Sequence, residues 1–554
     1  MGPSPPEMTR TTLTLLACAL MNTLAAQWST DLEANTLAGT GTSTIIAALS
    51  ASDGSTLIPY WRVVPPPTNM ELRLQKLDAD GVPQFGSDGL LVSPDLNMST
   101  FTVLATAEIS ADDHLYIGVT STNDEVGHVF KLDADGNHLW DPAGISFAGG
   151  YGIAIEPLSN GEALVAWLNV PNALMQKYDP AGGPVWPGPV PIVSGGSKTA
   201  PEAMFERSDE GYTVIFHTYN FGISSTLWAQ GYDSEGNETW SAPVQLSNKT
   251  TVWNTTYSSD AVGDVVYIGY MAATGLRFDS FLQRINPDGT LPWGINGSDF
   301  DTNETDYEMN TRIALAEEAG VAYAICNYKD PSQVDNGERI QRFDLWSGER
   351  QLTDHGQVIF PIGSNNLHAS DLHLADGQPL FLMESGYDNG FSSTTLHAVL
   401  LGADGSFAWP EEFRPVGLFD GSKSRTHLSA PVAGQTVAVW QEDKGTGPCV
   451  YAQNLVDAAL ASIGESAANA WASAFVYPNP ARHALHFAFD SPPRGATELE
   501  VSNLQGQVTA RLDLPNGCPT GSYTLDVADW PKGIYLYRIH SASTTPVRGR
   551  FIID

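Results

Sequence analysis

One motif recurs along the chain, and its spacing constrains the fold more than any other feature. Residues 74–81 read Leu-Gln-Lys-Leu-Asp-Ala-Asp-Gly and precede Phe85, and related copies precede Trp186 and Trp293. A degenerate eighth copy surrounds Gln453. Intervals of 46 to 59 residues separate the final glycines of the copies, and intervals of this size indicate a repeat architecture. These glycines fall at residues 81, 136, 182, 236, 289, 348 and 405.

Each repeat contains four short apolar segments separated by Gly, Asp and Asn turns. A glycine-led segment such as residues 161–167 or 434–440 precedes the motif, and another segment, such as residues 151–156, precedes that one. A fourth, such as residues 190–193, follows the motif. This order predicts a four-stranded antiparallel meander. Because one meander cannot bury both of its faces, stacked meanders are required, and the predicted fold class is an all-β β-propeller.

The repeat count predicts eight blades, with seven as the alternative. The eighth repeat stops before its last strand. Residues 28–32 (Trp-Ser-Thr-Asp-Leu) resemble residues 240–244 (Trp-Ser-Ala-Pro-Val) at the start of such a strand. We therefore expect the N-terminal segment to supply the last strand of the final blade, which would close the ring and remove an exposed sheet edge.

Four segments make up the predicted organisation of the chain. Residues 1–26 read as a signal peptide, with a basic start at Arg10, an apolar stretch from Leu13 to Leu24 and a small-residue cleavage site before Gln27. The propeller spans residues 27–456, and an Ala/Ser-rich linker spans residues 457–474. Residues 475–554 form a second domain with the pattern of a small β-sandwich. Its expected strands are 485–489, 499–501, 523–527, 534–539 and 550–553.

The chain is strongly acidic, with a formal net charge of −36. The C-terminal domain is neutral, with seven basic and seven acidic residues, so the excess acid lies in the propeller region. Such a field repels nucleic acids and anionic membranes, and we expect neither as a partner. No window approaches the ~20 apolar residues of a membrane span. A solvated acidic surface on a secreted monomer explains the charge, and cation binding is the alternative.

The cysteines do not form a recognisable framework. Cys18 would be removed with the signal peptide, which leaves Cys326, Cys449 and Cys518. Three widely spaced cysteines predict neither a disulfide framework nor a metal site, although one pair could form. We interpret them as small buried residues.

Three motifs near the C-terminus occur in order: Val-Tyr-Pro-Asn-Pro at 476–480, Leu-Gln-Gly-Gln-Val at 504–508 and Pro-Lys-Gly-Ile-Tyr-Leu-Tyr at 531–537. This segment resembles the type A C-terminal sorting domain of the type IX secretion system of Bacteroidota. The resemblance implies an Ig-like sandwich, export through the periplasm, recognition by the secretion machinery, and release from or attachment to the cell surface. Arg548 and Arg550 stand where the final strand of the family usually carries a Lys. The motif residues that carry the resemblance are Tyr477, Pro478, Asn479, Pro480, Gly506, Gly533, Ile534 and Tyr535.

The sequence contains no recognisable catalytic motif. The Asp-x-Asp-Gly tips at Asp78 and Asp133 lack the further oxygen ligands of a calcium loop, so they predict turns. His114, His128 and His138 are too far apart for a ligand signature. A nucleophile elbow, a zinc-protease motif and a phosphate loop are all missing from the sequence. We therefore predict no catalytic residues, no cofactor and no metal.

Aromatic residues divide into two groups. Five tryptophans occupy one repeat position after the tip, which predicts a shared packing role for Trp140, Trp186, Trp240, Trp293 and Trp409. A ligand-binding residue should instead break the repeat, because one pocket needs unequal contributions from equal blades. By that test the candidates for stacking on a ligand are Trp61, Trp228, Trp253 and Tyr328, with core or surface packing as the competing interpretation.

Two functions of different class fit these observations. The first is a non-catalytic secreted or cell-surface propeller that binds glycan or protein in adhesion or capture. The alternative is a secreted polysaccharide hydrolase or lyase with its active site in the propeller funnel. Because propellers host both, the fold does not decide between them. A pair of funnel carboxylates about 5 to 9.5 Å apart would favour hydrolysis.

Overall fold

The structure is a computed structural model, and the chain divides into two compact units, Met1–Leu455 and Val456–Asp554. The predicted signal peptide lies outside the described residues, and so does the predicted linker except for its last residue, Ala474, which begins a strand. The structure describes residues 28–64, 70–96, 105–193, 198–219, 224–252, 257–364, 366–368, 370–386, 393–455, 474–477, 481–489, 497–503, 507–514, 522–528, 530–541 and 547–553.

Almost all of the secondary structure in the described part of the first unit is β-strand, with a 3₁₀ turn at Glu317–Ala319. The first strands are β1 (Thr36–Thr40), β2 (Thr42–Ile45), β3 (Leu49–Ser50), β4 (Thr56–Val63), β5 (Met70–Leu77), β6 (Leu90–Leu96), β7 (Ala105–Ile109), β8 (Leu115–Ser121), β9 (Val126–Leu132) and β10 (Ile145–Ala148). Next come β11 (Tyr151–Pro157), β12 (Ala163–Asn169), β13 (Asn172–Tyr178), β14 (Val190–Ile192), β15 (Lys198–Glu206), β16 (Tyr212–Tyr219), β17 (Ser224–Tyr232), β18 (Val244–Gln245) and β19 (Thr250–Val252).

The remaining strands of this unit continue the same pattern. They are β20 (Ser258–Val262), β21 (Val265–Thr274), β22 (Arg277–Ile285), β23 (Ser298–Asp299), β24 (Tyr307–Ala316), β25 (Val321–Lys329), β26 (Asn336–Asp344) and β27 (Gln357–Ser364). The last are β28 (Asn366–His368), β29 (His373–Ala375), β30 (Gln378–Ser385), β31 (Thr394–Leu400), β32 (Arg414–Gly421), β33 (Lys423–Leu428), β34 (Val437–Asp443) and β35 (Pro448–Asn454).

These strands pair as antiparallel meanders in chain order, as the repeat predicts. The first meander is β2–β6, followed by β7–β10, β11–β14, β15–β19, β20–β23, β24–β27, β28–β32 and the eighth, β33–β35. The fourth and fifth meanders share one nine-stranded sheet, so eight blades remains our prediction from the repeat. Strands such as β8 and β25 are buried along nearly their whole length because neighbouring meanders cover both faces. The fold is a β-propeller.

The N-terminal segment completes the eighth meander, as expected, but with different residues. Strand β1 pairs antiparallel with β35, from Thr36 opposite Ala452 to Thr40 opposite Cys449. The predicted strand at residues 28–32 lies ahead of it and forms no strand. Residues 28–32 precede this strand and carry Trp28, the aromatic residue of the repeat. The strand therefore begins at Thr36, later than the sequence comparison predicts.

The tips of the first two motifs are turns held by the motif aspartate. Asp78 Oδ1 accepts hydrogen bonds from the backbone amides of Asp80 and Val82, and Gly81 has a φ of +81°. Asp133 makes the same two bonds, to the amides of Asp135 and Asn137. The predicted turn chemistry is therefore confirmed, and these carboxylate oxygens are occupied by backbone donors.

At five of the tips, a tryptophan locks the preceding meander to the meander that carries the tip. Its indole nitrogen donates to a carbonyl oxygen in the following tip at 2.9–3.2 Å, while the ring covers the glycine of that tip. A Cβ on Gly289 would lie 2.9 Å from the Trp240 ring, so glycine is required there for space as well as for its φ of +82°. The donor–acceptor pairs are Trp28–Ala79, Trp140–Pro180, Trp186–Ser234, Trp240–Pro287 and Trp293–Trp346.

The recurring glutamine of the motif is a second lock. Gln283 is fully buried, and its Nε2 donates to Gly294 O in its own meander and to Leu246 O in the preceding one. Gln75 does the same with Gly86 O and with Ala38 O on β1. A buried amide must have its hydrogen bonds satisfied, so the repeat retains glutamine at this position.

The second unit is a β-sandwich. Its strands are β36 (Ala474–Tyr477), β37 (Ala484–Phe489), β38 (Thr497–Asn503), β39 (Val508–Leu514), β40 (Ser522–Asp526), β41 (Gly533–Ser541) and β42 (Val547–Ile553). One sheet has the order β36-β37-β40 and the other β39-β38-β41-β42. Leu485 and Phe487 of the first sheet share one core with Val501, Tyr537 and Phe551 of the second. Five of these seven strands are predicted from the sequence, whereas β36 and β39 are not.

The tip lock predicts unequal costs for two glycine-to-alanine changes. Gly289→Ala and Gly275→Ala both place alanine at positive φ (+82° and +68°), which costs about 1–3 kcal/mol each. Only Gly289 faces a tryptophan, since nothing lies within 4 Å of a Cβ at Gly275. We expect Gly289→Ala to lower the free energy of unfolding by about a further 1–3 kcal/mol through overpacking. Urea denaturation of both variants measures the difference, and equal losses would contradict a packing role for Trp240.

Candidate functional site

The four aromatic candidates do not converge on one site. Trp61 and Tyr328 are fully buried in two different cores. A fully buried ring presents no face to a ligand, so the stacking prediction does not fit either residue. Trp228 is half-buried and donates from Nε1 to Thr226 Oγ1 at 2.9 Å. Trp253 lies outside the described residues.

The sorting-motif residues fall in the second unit. Tyr477 ends β36 and Gly533 begins β41, where Ile534 also lies. Tyr535 donates from its hydroxyl to Pro531 O at 2.8 Å and stacks on Phe551. Pro478, Asn479, Pro480 and Gly506 lie outside the described residues.

The histidines of the second meander are not assembled into a metal site. His114 Nδ1 lies 3.0 Å from Asp112 Oδ2, and His128 Nδ1 lies 3.0 Å from Ser146 Oγ. Among the described residues, no three His, Cys, Asp or Glu side chains are arranged to hold a metal ion. Cys326 and Cys449 are buried free thiols, as we interpreted them, and Cys518 lies outside the described residues.

The first strand of each meander faces the axis of the ring. First strands of neighbouring meanders contact one another, namely β7 with β11, β11 with β15, β20 with β24, β24 with β29, and β33 with β2. The axial cluster is the set of polar side chains that lie on these strands, or beside them between β28 and β29, and that interact across the ring. Its members are Glu108, Glu156, Glu206, Asp260, Arg312, Asp371, His373 and His427.

Two glutamates of the axial cluster hold protons unusually firmly. Burial raises the pKa of Glu108 to about 7, and the charge of Asp371, from a meander across the ring, adds to this effect. Burial also raises the pKa of Glu156 to about 8, despite a hydrogen bond of 3.1 Å from the Glu206 amide to Glu156 Oε1; the charges of Glu108 and Glu206 add to the rise. The side chain of Glu108 is nevertheless exposed. Water therefore reaches a carboxylate that protein surrounds, as expected in an axial channel.

Asp371 has the opposite behaviour. Burial disfavours its charge, but Arg312 and the histidines His427, His373 and His368 outweigh this and lower the pKa of Asp371. Arg312 Nε lies 3.6 Å from Asp371 Oδ1, and the Asp371 side chain is 60% exposed. The channel thus holds an ionised carboxylate within electrostatic range of a glutamate that keeps its proton near neutral pH.

His373 and His427 are fixed by backbone carbonyl groups. His373 Nε2 lies 2.8 Å from Leu428 O, and His427 Nε2 lies 3.3 Å from Ile45 O. Each bond joins one meander to the next, so the imidazoles hold defined positions around Asp371. Burial has the largest effect on His427 and lowers its pKa overall. The negative charge of Asp371 acts in the opposite direction and favours the protonated imidazole.

A second polar cluster has the connectivity of a serine–histidine–acid triad. Ser225 Oγ lies 2.9 Å from His217 Nδ1, and His217 Nε2 lies 3.1 Å from Glu202 Oε2. Ser225 and His217 are both buried, and Ser225 Oγ also bonds Thr251 Oγ1. A nucleophile must reach its substrate, so this network joins strands and is not an active site.

A surface groove of about 430 Å³ is lined by Ser298, Asp299, Gly348, Glu349 and Arg350. Arg350 is committed to an ion pair of 2.8 Å with Asp354. Burial, with the charge of Asp279, raises the pKa of Asp299 to about 6. These side chains come from one tip and one connection, and they do not converge as those of the axial cluster do.

The axial cluster could not be predicted from aromatic residues or contiguous motifs, because its members are single polar residues on different meanders. The available signal was a carboxylate on four otherwise similar first strands, at Glu108, Glu156, Glu206 and Asp260. Nothing in the sequence alone places Asp371 across the ring from Glu108.

Comparison with known proteins bears on the second unit first. Residues 475–554 match the family model of the secretion system C-terminal sorting domain. These residues are a sorting domain of the type IX secretion system. The protein is therefore secreted or displayed at the cell surface. The described part of the chain contains no helix with the length and apolar character that a membrane crossing requires.

The first unit has only remote structural similarity to solved proteins, and no curated protein matches the chain. The Dos1 propeller is 10% identical with a TM-score of 0.43, covering 76% of this chain and 93% of that one. The propeller domain of the Trilobed protease from Pyrococcus furiosus is 8% identical with a TM-score of 0.39, over 70% and 98%. An α-L-arabinanase from Penicillium chrysogenum is 12% identical with a TM-score of 0.31, over 56% and 93%. Such values carry no information on activity.

The axial glutamates predict a pH-dependent stability penalty. Because the pKa values of Glu108 and Glu156 are raised on folding, the stability present below their ordinary value of 4.5 is lost as pH rises through about 7 and 8. The double variant Glu108→Gln/Glu156→Gln should therefore melt at a higher temperature than the wild type at pH 8.5 and at a similar temperature at pH 4.5. Scanning calorimetry at both pH values tests this, with the exposed tip variant Asp80→Asn as the control. A variant no more stable than the wild type at pH 8.5 would contradict it.

Proposed function

We propose that this exported propeller captures a carbohydrate chain in its axial channel. The observation that carries the proposal is the axial cluster, in which structurally equivalent strands contribute unequal, water-accessible polar groups. Carboxylates accept hydrogen bonds from sugar hydroxyls, while Arg312 donates to their oxygen atoms. A channel bounded by inner strands admits an extended chain and excludes a folded protein surface.

The charge of the channel narrows the ligand class. Four carboxylates of the axial cluster lie on strands β7, β11, β15 and β20, and Asp371 lies between β28 and β29, against one arginine. The ionised carboxylate of Asp371 repels an anion across a low-dielectric channel, and Glu108 and Glu156 add to this repulsion once they lose their protons, so an anionic polysaccharide is a poor ligand. A neutral or amino-bearing glycan fits the same groups without this penalty.

Binding to a polysaccharide array tests the proposal. Purified protein should be retained by neutral or amino-bearing polysaccharides and not by anionic ones. Glu108→Gln/Asp371→Asn should reduce retention at least tenfold, because it replaces an acceptor oxygen with an amide donor on two sides of the channel, whereas Asp80→Asn should leave it unchanged. Equal retention of the channel variant, or a preference for anionic chains, would contradict an axial site.

Hydrolysis of the bound chain is the second candidate function. It is favoured by the opposite shifts of Glu108 and Asp371, because a glycosidase needs one protonated and one ionised carboxyl group. In that case Glu108 would protonate the leaving oxygen, and Asp371 would assist the attack of water as a base or form the glycosyl-enzyme itself.

Product release separates the two functions. If the chain is cleaved, release of reducing ends should fall as pH rises through about 7, when Glu108 loses its proton. Glu108→Gln should abolish release while retaining binding. Retention without any release at pH 5 to 8 would leave capture as the function and remove hydrolysis.

A further inference from the structure

A pair of carboxyl groups is buried at the junction of the fifth and sixth meanders, away from the axial cluster. Glu308 lies on β24 of the sixth meander, and Asp301 follows β23 of the fifth. The two residues are only 1% and 2% exposed. Neither belongs to the repeat motif, so their burial is a specific property of this junction.

Donors satisfy only part of this pair. Glu308 Oε2 accepts from the Ser280 amide at 3.1 Å, and Asp301 accepts from the Tyr328 hydroxyl and from the Asn303 amide. Glu308 Oε1 has no hydrogen-bond partner among the described residues, although the Asp301 side chain lies within hydrogen-bonding reach of Glu308. Two ionised carboxylates are acceptors only, so this contact becomes a hydrogen bond only when one of them carries a proton.

The basic group in contact with this pair is a histidine, because His355 Nδ1 lies 3.4 Å from Asp301 Oδ2. The facing groups are Asp279 on β22, Asp299 on β23, Cys326 on β25, Glu338 and Arg339 on β26, His355 after β26, and His368 on β28. Arg277 pairs with Asp279 at 2.8 Å, and Arg339 stacks on the Tyr328 ring. Within the described part of the chain, no lysine or arginine forms an ion pair with Glu308 or Asp301.

We propose that Glu308 keeps a proton beside Asp301 in the folded protein and that the junction releases this proton when it opens. Burial, and next the contact with Asp301, holds the pKa of Glu308 well above its ordinary value of 4.5. The junction is therefore strongest below that value and weakens as pH rises toward the raised pKa. Release of one proton makes the opening equilibrium increase tenfold for each pH unit in that range.

The chain contains its own reporter of this opening. The Cys326 thiol lies on β25 within electrostatic range of Glu308 and is 0% exposed, so a reagent reaches it only after the junction opens. Cys449 is a second buried free thiol, on β35 in the eighth meander, where neither carboxyl group lies. Because both thiols react as thiolates, the ratio of their labelling rates cancels the intrinsic pH dependence.

The experiment is alkylation of the full chain with iodoacetamide from pH 6 to pH 9, with each cysteine quantified by peptide mass spectrometry. A reagent concentration that makes labelling slower than reclosing reports the opening equilibrium. In the wild type the ratio of Cys326 to Cys449 labelling should rise about tenfold per pH unit. In Glu308→Gln, which supplies a permanent amide donor at this position, the ratio should be independent of pH.

Three outcomes are decisive. A pH-independent ratio in the wild type overturns the proposal by itself, even if the variant fails to fold. A slope that persists in Glu308→Gln assigns the proton to another group and also overturns it. The third outcome concerns Glu338→Gln, which removes a different buried carboxyl group near Cys326 and should keep the wild-type slope. If this variant loses the slope, the proton is not on the Glu308–Asp301 pair.

Discussion

The structure depends on the contact between the tryptophan of one meander and the tip glycine of the next. Each meander is too thin to bury both faces, so its stability comes from its two neighbours. The indole provides apolar cover and a directed hydrogen bond in the same contact, as Trp240 does toward Gly289 and Pro287. Larger residues at the tip would displace the ring, which ties the glycine and the aromatic position of the motif to one physical cause.

This arrangement leaves the inner strands free to differ. Packing and ring closure are carried by the tips, the buried glutamines and the middle strands, so the first strands can hold polar groups that a core would not tolerate. Glu108 and Asp371 show the result, since these carboxyl groups from two different meanders hold a proton with very different strength. Meanders with the same backbone pattern can therefore carry different side chains at the axial cluster.

The parts that the sequence predicted are those governed by local or periodic chemistry. Tip turns, the four-strand pattern, strand exchange between the chain ends and the sorting domain follow from short motifs around residues such as Asp78 and Tyr535. The axial cluster and the Glu308–Asp301 pair were missed because they depend on which meanders face one another in space. The stacking prediction was wrong for Trp61 and Tyr328 for a related reason. A residue that occurs in only one copy of the repeat can be there to pack one core, and both of these side chains are fully buried.

Strand exchange has a consequence for the time course of folding. Gln453 Nε2 donates to the carbonyl oxygen of Ser29, which lies 424 residues earlier in the sequence. The N-terminal and C-terminal segments of the propeller therefore complete their hydrogen bonds only when they meet. Contacts between residues so far apart in sequence form slowly. Until residues 448–454 are available, strand β1 has no partner in the eighth meander, so the ring stays open at this point and one edge of the sheet stays exposed.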